Sequence, residues 1–407
     1  MNRAVKSIQK ECIMKQFGFA VALVALSVSC VCADPPGEDI SVYHIGNSLI
    51  RNLSLDRLAG LFKSAEGNYE YGSQLSGGRR LYAHLADKLA NGKTFKRNNI
   101  QSGPYGDYLQ ALQKSTFDAL VLQSSRAWLT DRTPDNEIET GDVEAISGFI
   151  DYATGKNPAK HVATQRFYVY GAWPGYPFML QRKDLDADSD GTVTYTEFWD
   201  APTDTTQPNP DLASPNRQFL TSLVSALNER YPNLVYPVRL ISVGDVFAAL
   251  DKKIRAGQLP GLAEYVTRKT KLMVGDAERP SNFEYFREAR RGPSGGRRPP
   301  LAGSPLDPAV EDYPGFAQSE GIRNVYADIA HMNDQPHNGD DDGTLGSYIA
   351  SITFYAVLAG RSPVGLTAEP WERIDPVVDA ELVKAVQETV WEVVSKDPLA
   401  GIARSSE

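Results

Sequence analysis

The sequence predicts an α/β protein with a doubly wound, mostly parallel sheet, and three observations carry that expectation. From Ile40 onward short apolar runs alternate with stretches of helical spacing, the pattern of successive βαβ units. Residues 117–123 (FDALVLQ) read as a buried strand rather than a half-exposed one. Residues suited to chemistry follow directly on several of these runs, where such a sheet presents its carboxyl ends to a ligand.

Taken in order, strands are expected at 40–45, 69–75, 117–123, 166–171 and 238–243, with a last short one at 324–327. Between them, residues 53–66 place Leu55, Leu58, Leu61 and Phe62 on one helical face, and 81–89 and 143–152 read as helices. Longer helix patterns occupy 345–358 and 380–394. Two segments interrupt the alternation: 181–210 is acidic and rich in Asp and Thr, and 276–315 is rich in Pro, Gly and Arg. The second has the composition of a solvated, flexible insertion.

The N-terminus sets the expected compartment. Arg3, Lys6, Lys10 and Lys15 precede an apolar run at 17–31, and Val31-Cys32-Ala33 leads into Asp34 and a Pro-Pro pair. These are the parts of a secretory signal over 1–33, with a single domain from 34 to 400. The apolar core is short for a membrane span, and no later stretch is apolar enough for one. A lipid anchor through Cys30 or Cys32 is the weaker alternative, because Ser27 or Ser29 stands where a Leu-like residue is expected. Met14, followed by Lys15, is an alternative start to Met1.

All three cysteines lie in the leader, so the mature chain is expected to use no disulfide, thiolate nucleophile or Cys-ligated zinc. Without residues 1–33 the balance moves from 42 basic against 51 acidic residues to 38 against 50, a net −12. That favours solubility and argues against a nucleic-acid partner.

Residues 186–197 (DADSDGTVTYTE) match a twelve-residue EF-hand loop at each ligand position. Calcium seeks six to eight oxygens. Asp186, Asp188 and Asp190 offer carboxylates, Gly191 makes the sharp turn and Thr192 offers its carbonyl. Thr194 stands where a bridging water sits, and Glu197 closes the loop with two oxygens. One loop without a pairing loop reads as a structural calcium clip rather than a sensor.

Gly46-Asn47-Ser48 follows the first strand, a place from which a serine hydroxyl points out of the sheet. Near the other end, Asp328 stands three residues before His331, after the last strand. A carboxylate at that spacing can fix the imidazole tautomer and leave the other ring nitrogen to accept the serine proton. Asp334 and His337 form a second pair of the same spacing; the leading strand and the following Met332-Asn333 favour the first pair. Ser76-Gly77-Gly78 after the second strand offers a bare backbone N–H, and Gln123 at the end of the third offers a side-chain amide to an oxyanion. Trp128 and Trp173 suit either a sugar-stacking wall or the core.

The order of these blocks resembles the SGNH (GDSL-like) hydrolases over roughly residues 40–370. The likeness is closest to members whose last block runs as Asp328, His331, Met332 and Asn333 do here, followed by Gly346, Tyr348 and Gly360-Arg-Ser-Pro-Val-Gly-Leu366. It implies a flavodoxin-like sheet, hydrolysis of carboxylic esters and often deacetylation of carbohydrate. Ser48 then becomes the nucleophile, His331 the base and Asp328 its orienter, and Gly78 (or Gly77) with Gln123 completes the oxyanion hole. No organic cofactor is implied. The competing reading is a non-catalytic, calcium-stabilised surface or carbohydrate-binding protein on the same fold.

Overall fold

The computed structural model describes residues 39–51, 53, 55–76, 79–85, 101–102, 105–124, 129–131, 140–155, 166–173, 183–185, 195–202, 215–260, 345–367 and 380–402. The expected leader at 1–33, the strand at 324–327 and the insertion at 276–315 lie outside them.

Among the described residues five strands run parallel: β1 (Asp39–Gly46), β2 (Asn68–Leu75), β4 (Ala119–Gln123), β5 (Arg166–Tyr170) and β6 (Arg239–Ile241). A two-residue strand, β3 (Gln101–Ser102), pairs antiparallel with the end of β2. The sheet order is β3-β2-β1-β4-β5-β6. Among the parallel strands this is the 2-1-3-4-5 order of flavodoxin-like sheets, whose winding reverses between the first and third strands. Here that switch point lies between β1 and β4, where Ile45 pairs with Leu122.

The central strands form from predominantly apolar runs, most continuous in Ala119–Gln123 of β4. Val42, Tyr43 and Ile45 of β1 and all of β4 are buried, as expected of strands covered on both faces. Right-handed crossovers put the helix between β1 and β2 on the face opposite the one between β4 and β5. On one face α2 (Leu55–Ser64) packs against α9 (Leu345–Ala359), which also contacts α8 (Val243–Arg255) and α10 (Ala380–Lys396). On the other, α3 (Leu81–Leu85) packs against α5 (Asp142–Ala153), and α5 against α7 (Arg217–Arg230).

Leu55, Leu58, Leu61 and Phe62 are the buried face of α2, as their spacing predicts, each contributing about 1.5–3 kcal/mol of apolar burial. α9 is buried along most of its length, so it is a core helix apolar all round. Its Tyr348 hydroxyl accepts from Gln387 Nε2 at 2.7 Å, and Gln387 also binds Leu366 O and Gly365 N. The loop carrying Gly360 and Gly365, both at positive φ, is thereby tied to α10.

The sheet's far edge is closed by the chain's C-terminal part. Leu240 N donates to Leu399 O, and Arg217 reaches Asp397 through both terminal nitrogens. The expected strand over 238–243 is only Arg239–Ile241, because Val243 already begins α8. Ser242, a favoured helix-start residue, accepts the Val246 N–H on its carbonyl.

Candidate functional site

At the switch point the chain turns from β1 into a single helical turn, α1 (Ser48–Arg51). Asn47 makes that turn in two ways. Its side-chain oxygen accepts the Leu49 N–H at 2.9 Å, satisfying one of the orphan donors at a helix start. Its backbone N–H donates to Gln123 Oε1 at 3.0 Å, and Gln123 Nε2 donates back to Asn47 Oδ1 at 2.7 Å. Gln123 is the last residue of β4 and only 1% exposed, so this reciprocal pair sits in a dry environment, where an amide left unpaired is costly.

Gly46 is required by that packing rather than by its φ. A Cβ there would lie 2.5 Å from Gln123 Oε1 and 2.7 Å from Ile50 Cδ1. Its carbonyl accepts the Ser76 N–H at 3.1 Å, which ties the turn after β2 to the turn after β1. His84 of α3 lies beneath. Gln74 Nε2 donates to its Nδ1 at 3.0 Å, so Nε2 carries the proton and faces the Gly46 carbonyl without closing a well-formed bond. Burial, and then the charge of Arg79, holds His84 down at about 3. It is a neutral structural ring with no lone pair left to act as a base.

A second buried group adjoins β4. Ser124 follows Gln123 directly, and its hydroxyl donates to Asp142 at the first position of α5. Asp142 is 7% exposed. Burial raises its carboxyl to about 7, against the opposing effects of the Ser124 hydrogen bond and the charge of Arg80. Arg80 also lies over the Tyr82 ring.

The expected site residues divide between described and undescribed segments. Ser48 begins α1, Gln123 ends β4, and both follow from the carboxyl edge of adjacent strands. Gly77 and Gly78 lie outside the described residues, between Ser76 and Arg79, whose N–H donates back to Ser76 O at 3.1 Å. Asp328, His331, Asp334 and His337 also lie outside, as do Asp186, Asp188, Asp190, Thr192, Thr194 and Trp128. Trp173 is 3% exposed and packs edge-on against Phe247 and Tyr170, which makes it a core residue.

Glu197 falls in the first turn of α6 (Tyr195–Asp200). That helix buries Tyr195, Phe198 and Trp199 within a stretch read from composition as polar. Trp199 Nε1 donates to Asp245 Oδ1 at 2.7 Å, Thr196 Oγ1 donates to Asp251 at 3.0 Å, and Tyr195 stacks on Trp199. The Trp199 ring lies against Gly244, where even a Cβ would collide. No cluster of three or more His, Cys, Asp or Glu suited to a metal occurs among the described residues, and no helix there is long and apolar enough to cross a membrane.

Sequence reasoning missed the double role of Asn47, the His84 support and the Ser124–Asp142 pair. Asn before a helix is a recognisable cap signal. His84 and Asp142 gave none, because their partners Gln74 and Ser124 lie on other elements, brought to them by the fold.

No family model and no curated protein matches the chain. A solved structure of a DUF4886 family protein from Bacteroides uniformis ATCC 8492 is a distant neighbour, 14% identical over 88% of this chain and 95% of that one, with a TM-score of 0.41.

Proposed function

We propose that the chain is an exported serine esterase of SGNH type, hydrolysing carboxylic esters and, on carbohydrate, O-acetyl groups. One observation carries the reading: a Gly-Asn-Ser turn at the carboxyl end of β1, clamped by the amide that ends β4. A serine that starts a helix from a tight, externally braced turn is suited to nucleophilic attack. The switch point is where such sheets take their ligands.

In this reading His331 removes the Ser48 proton as Ser48 Oγ bonds to the ester carbonyl carbon. Asp328 holds the imidazolium. The negative charge gathers on the carbonyl oxygen, stabilised by the N–H of Gly78 or Gly77 and by the Gln123 amide. Gln123 has given one Nε2 hydrogen to Asn47, so its second serves the oxyanion. The C–O bond to the alcohol breaks as His331 returns the proton to the leaving oxygen. Water then gives a proton to His331 and its hydroxyl to the acyl carbon. The bond from that carbon to Ser48 Oγ breaks as His331 returns the proton to Oγ, releasing the acid and restoring Ser48.

Calcium belongs to the same proposal as a structural ion. Helix α6 begins at the tenth position of the acidic loop and carries Glu197 in its first turn, which fits the loop-then-helix half of an EF-hand. Asp186, Asp188, Asp190, the Thr192 carbonyl, Thr194 through water and Glu197 would hold it. The ion would neutralise this acidic stretch.

The test is labelling of the mature chain by a fluorophosphonate. Covalent modification at Ser48, located by peptide mass, supports the esterase. A chain that never labels there, while retaining its fold, is a binding module instead.

A further inference from the structure

Asp142 carries more of the molecule's organisation than a helix start requires. The N-cap of α5 is Gly141, and Glu144 in the same first turn is half-exposed and pairs with Arg230. An acidic residue near the positive helix end is favourable while still in water. Burying Asp142 adds a desolvation cost that the helix does not need.

The burial makes sense from what Asp142 touches. Ser124, whose hydroxyl it accepts, is itself fully buried and is the residue after Gln123. Arg80, whose charge acts on Asp142, lies on the turn after β2 beyond Gly77 and Gly78. Ser76, at the start of that turn, donates to Gly46 O. Asp142 therefore holds the residue that follows Gln123, and Gln123 is itself bonded to the Asn47 turn after β1.

We propose that Asp142 is a positioning residue for the oxyanion-binding edge: through Ser124 it sets the end of β4, and with it the Gln123 amide, against Asn47. The proposal rests on the esterase reading, because the edge matters only if an oxyanion forms there. Displacement of a donor by about 1 Å can cost on the order of 100-fold in rate without loss of binding.

The test uses the full mature chain and p-nitrophenyl acetate, with Asp142→Ala, Asp142→Asn, Gln123→Ala and the double variant Gln123→Ala/Asp142→Ala. Asp142→Ala is expected to lower kcat by about 10- to 100-fold with KM within about threefold. Asp142→Asn, whose amide oxygen still accepts from Ser124, is expected to recover most of that loss. The double variant is expected to be no slower than Gln123→Ala alone, since the two act as a unit. Losses that multiply in full, or a folded Asp142→Ala variant with wild-type kcat, would overturn the proposal. Turnover that survives Ser48→Ala sinks the esterase reading itself, and the positioning role with it.

Discussion

Asn47 and Gln123 exchange two hydrogen bonds across the switch point, at 3.0 and 2.7 Å, and thereby join the last residue of β4 to the turn that begins α1. Removing the amide with Gln123→Ala leaves a buried Asn47 N–H without its acceptor, at a cost of about 1–3 kcal/mol. Turnover should fall by about 100-fold or more if the same amide serves the oxyanion. Urea unfolding together with steady-state kinetics separates the two effects; wild-type kcat in the variant would remove Gln123 from the chemistry.

Gly46→Ala tests the same clamp from the other side. The new methyl would meet Gln123 Oε1 and Ile50, and overpacking of this kind costs about 1–3 kcal/mol. Activity should fall more steeply than stability, because the atom displaced is the one that fixes Asn47. A variant as active and as stable as wild type would mean that the turn is loose.

The buried titratable groups give the stability a defined pH dependence. His44, bonded to the Tyr69 hydroxyl at 2.6 Å, and His84 are both held at about 3, chiefly by burial, against an ordinary 6.5. Between those values the unfolded chain binds more protons. Their contribution is therefore complete above about 6.5 and is lost as the pH falls toward 3. Asp142, raised to about 7 from 3.8, has the opposite sign: its contribution is present below about 4 and lost as the pH rises through 7. Urea midpoints measured across this range should fall on the acid side, with His84→Gln flattening the decline. An acid limb unchanged in that variant would show that His84 is not held neutral.

Calcium should act on stability through α6, whose Tyr195, Phe198 and Trp199 are already docked on the fold. Saturating calcium at about 100 times its dissociation constant would add about 2.7 kcal/mol. Chelation with EDTA should lower the thermal midpoint of the wild type and leave Glu197→Gln much less affected. A midpoint indifferent to calcium in the wild type would contradict the clip.

The parallel strands and their helices were legible in the sequence because their cues are local. The continuous apolar run of β4 and the four-residue face of α2 needed only spacing to be read. Helices α4 (Tyr108–Lys114) and α7 also carried local signals that spacing alone passed over: Asp107 caps the first through Gln110 N, and Asn216 caps the second through Phe219 N. Residues 195–200 lie within the segment 181–210, whose Asp- and Thr-rich composition reads as acidic and polar, and the burial of their aromatics depends on α8, about fifty residues away. At the site, Ser48 and Gln123 are legible from their places at the carboxyl ends of strand patterns, one just after β1 and one closing β4. The buried groups beside them, His84 and Asp142, carry no periodic cue of their own, because each is fixed by a partner on another element, Gln74 and Ser124.

The most direct measurement is p-nitrophenyl acetate hydrolysis by the mature chain, wild type beside Ser48→Ala, His331→Ala and His337→Ala. The account predicts Ser48-dependent turnover that Ser48→Ala and His331→Ala abolish and His337→Ala retains. Loss with His337→Ala and retention with His331→Ala would assign the base to the Asp334–His337 pair. Wild-type chain with no Ser48-dependent turnover would contradict the esterase for simple esters and leave a binding protein on this fold.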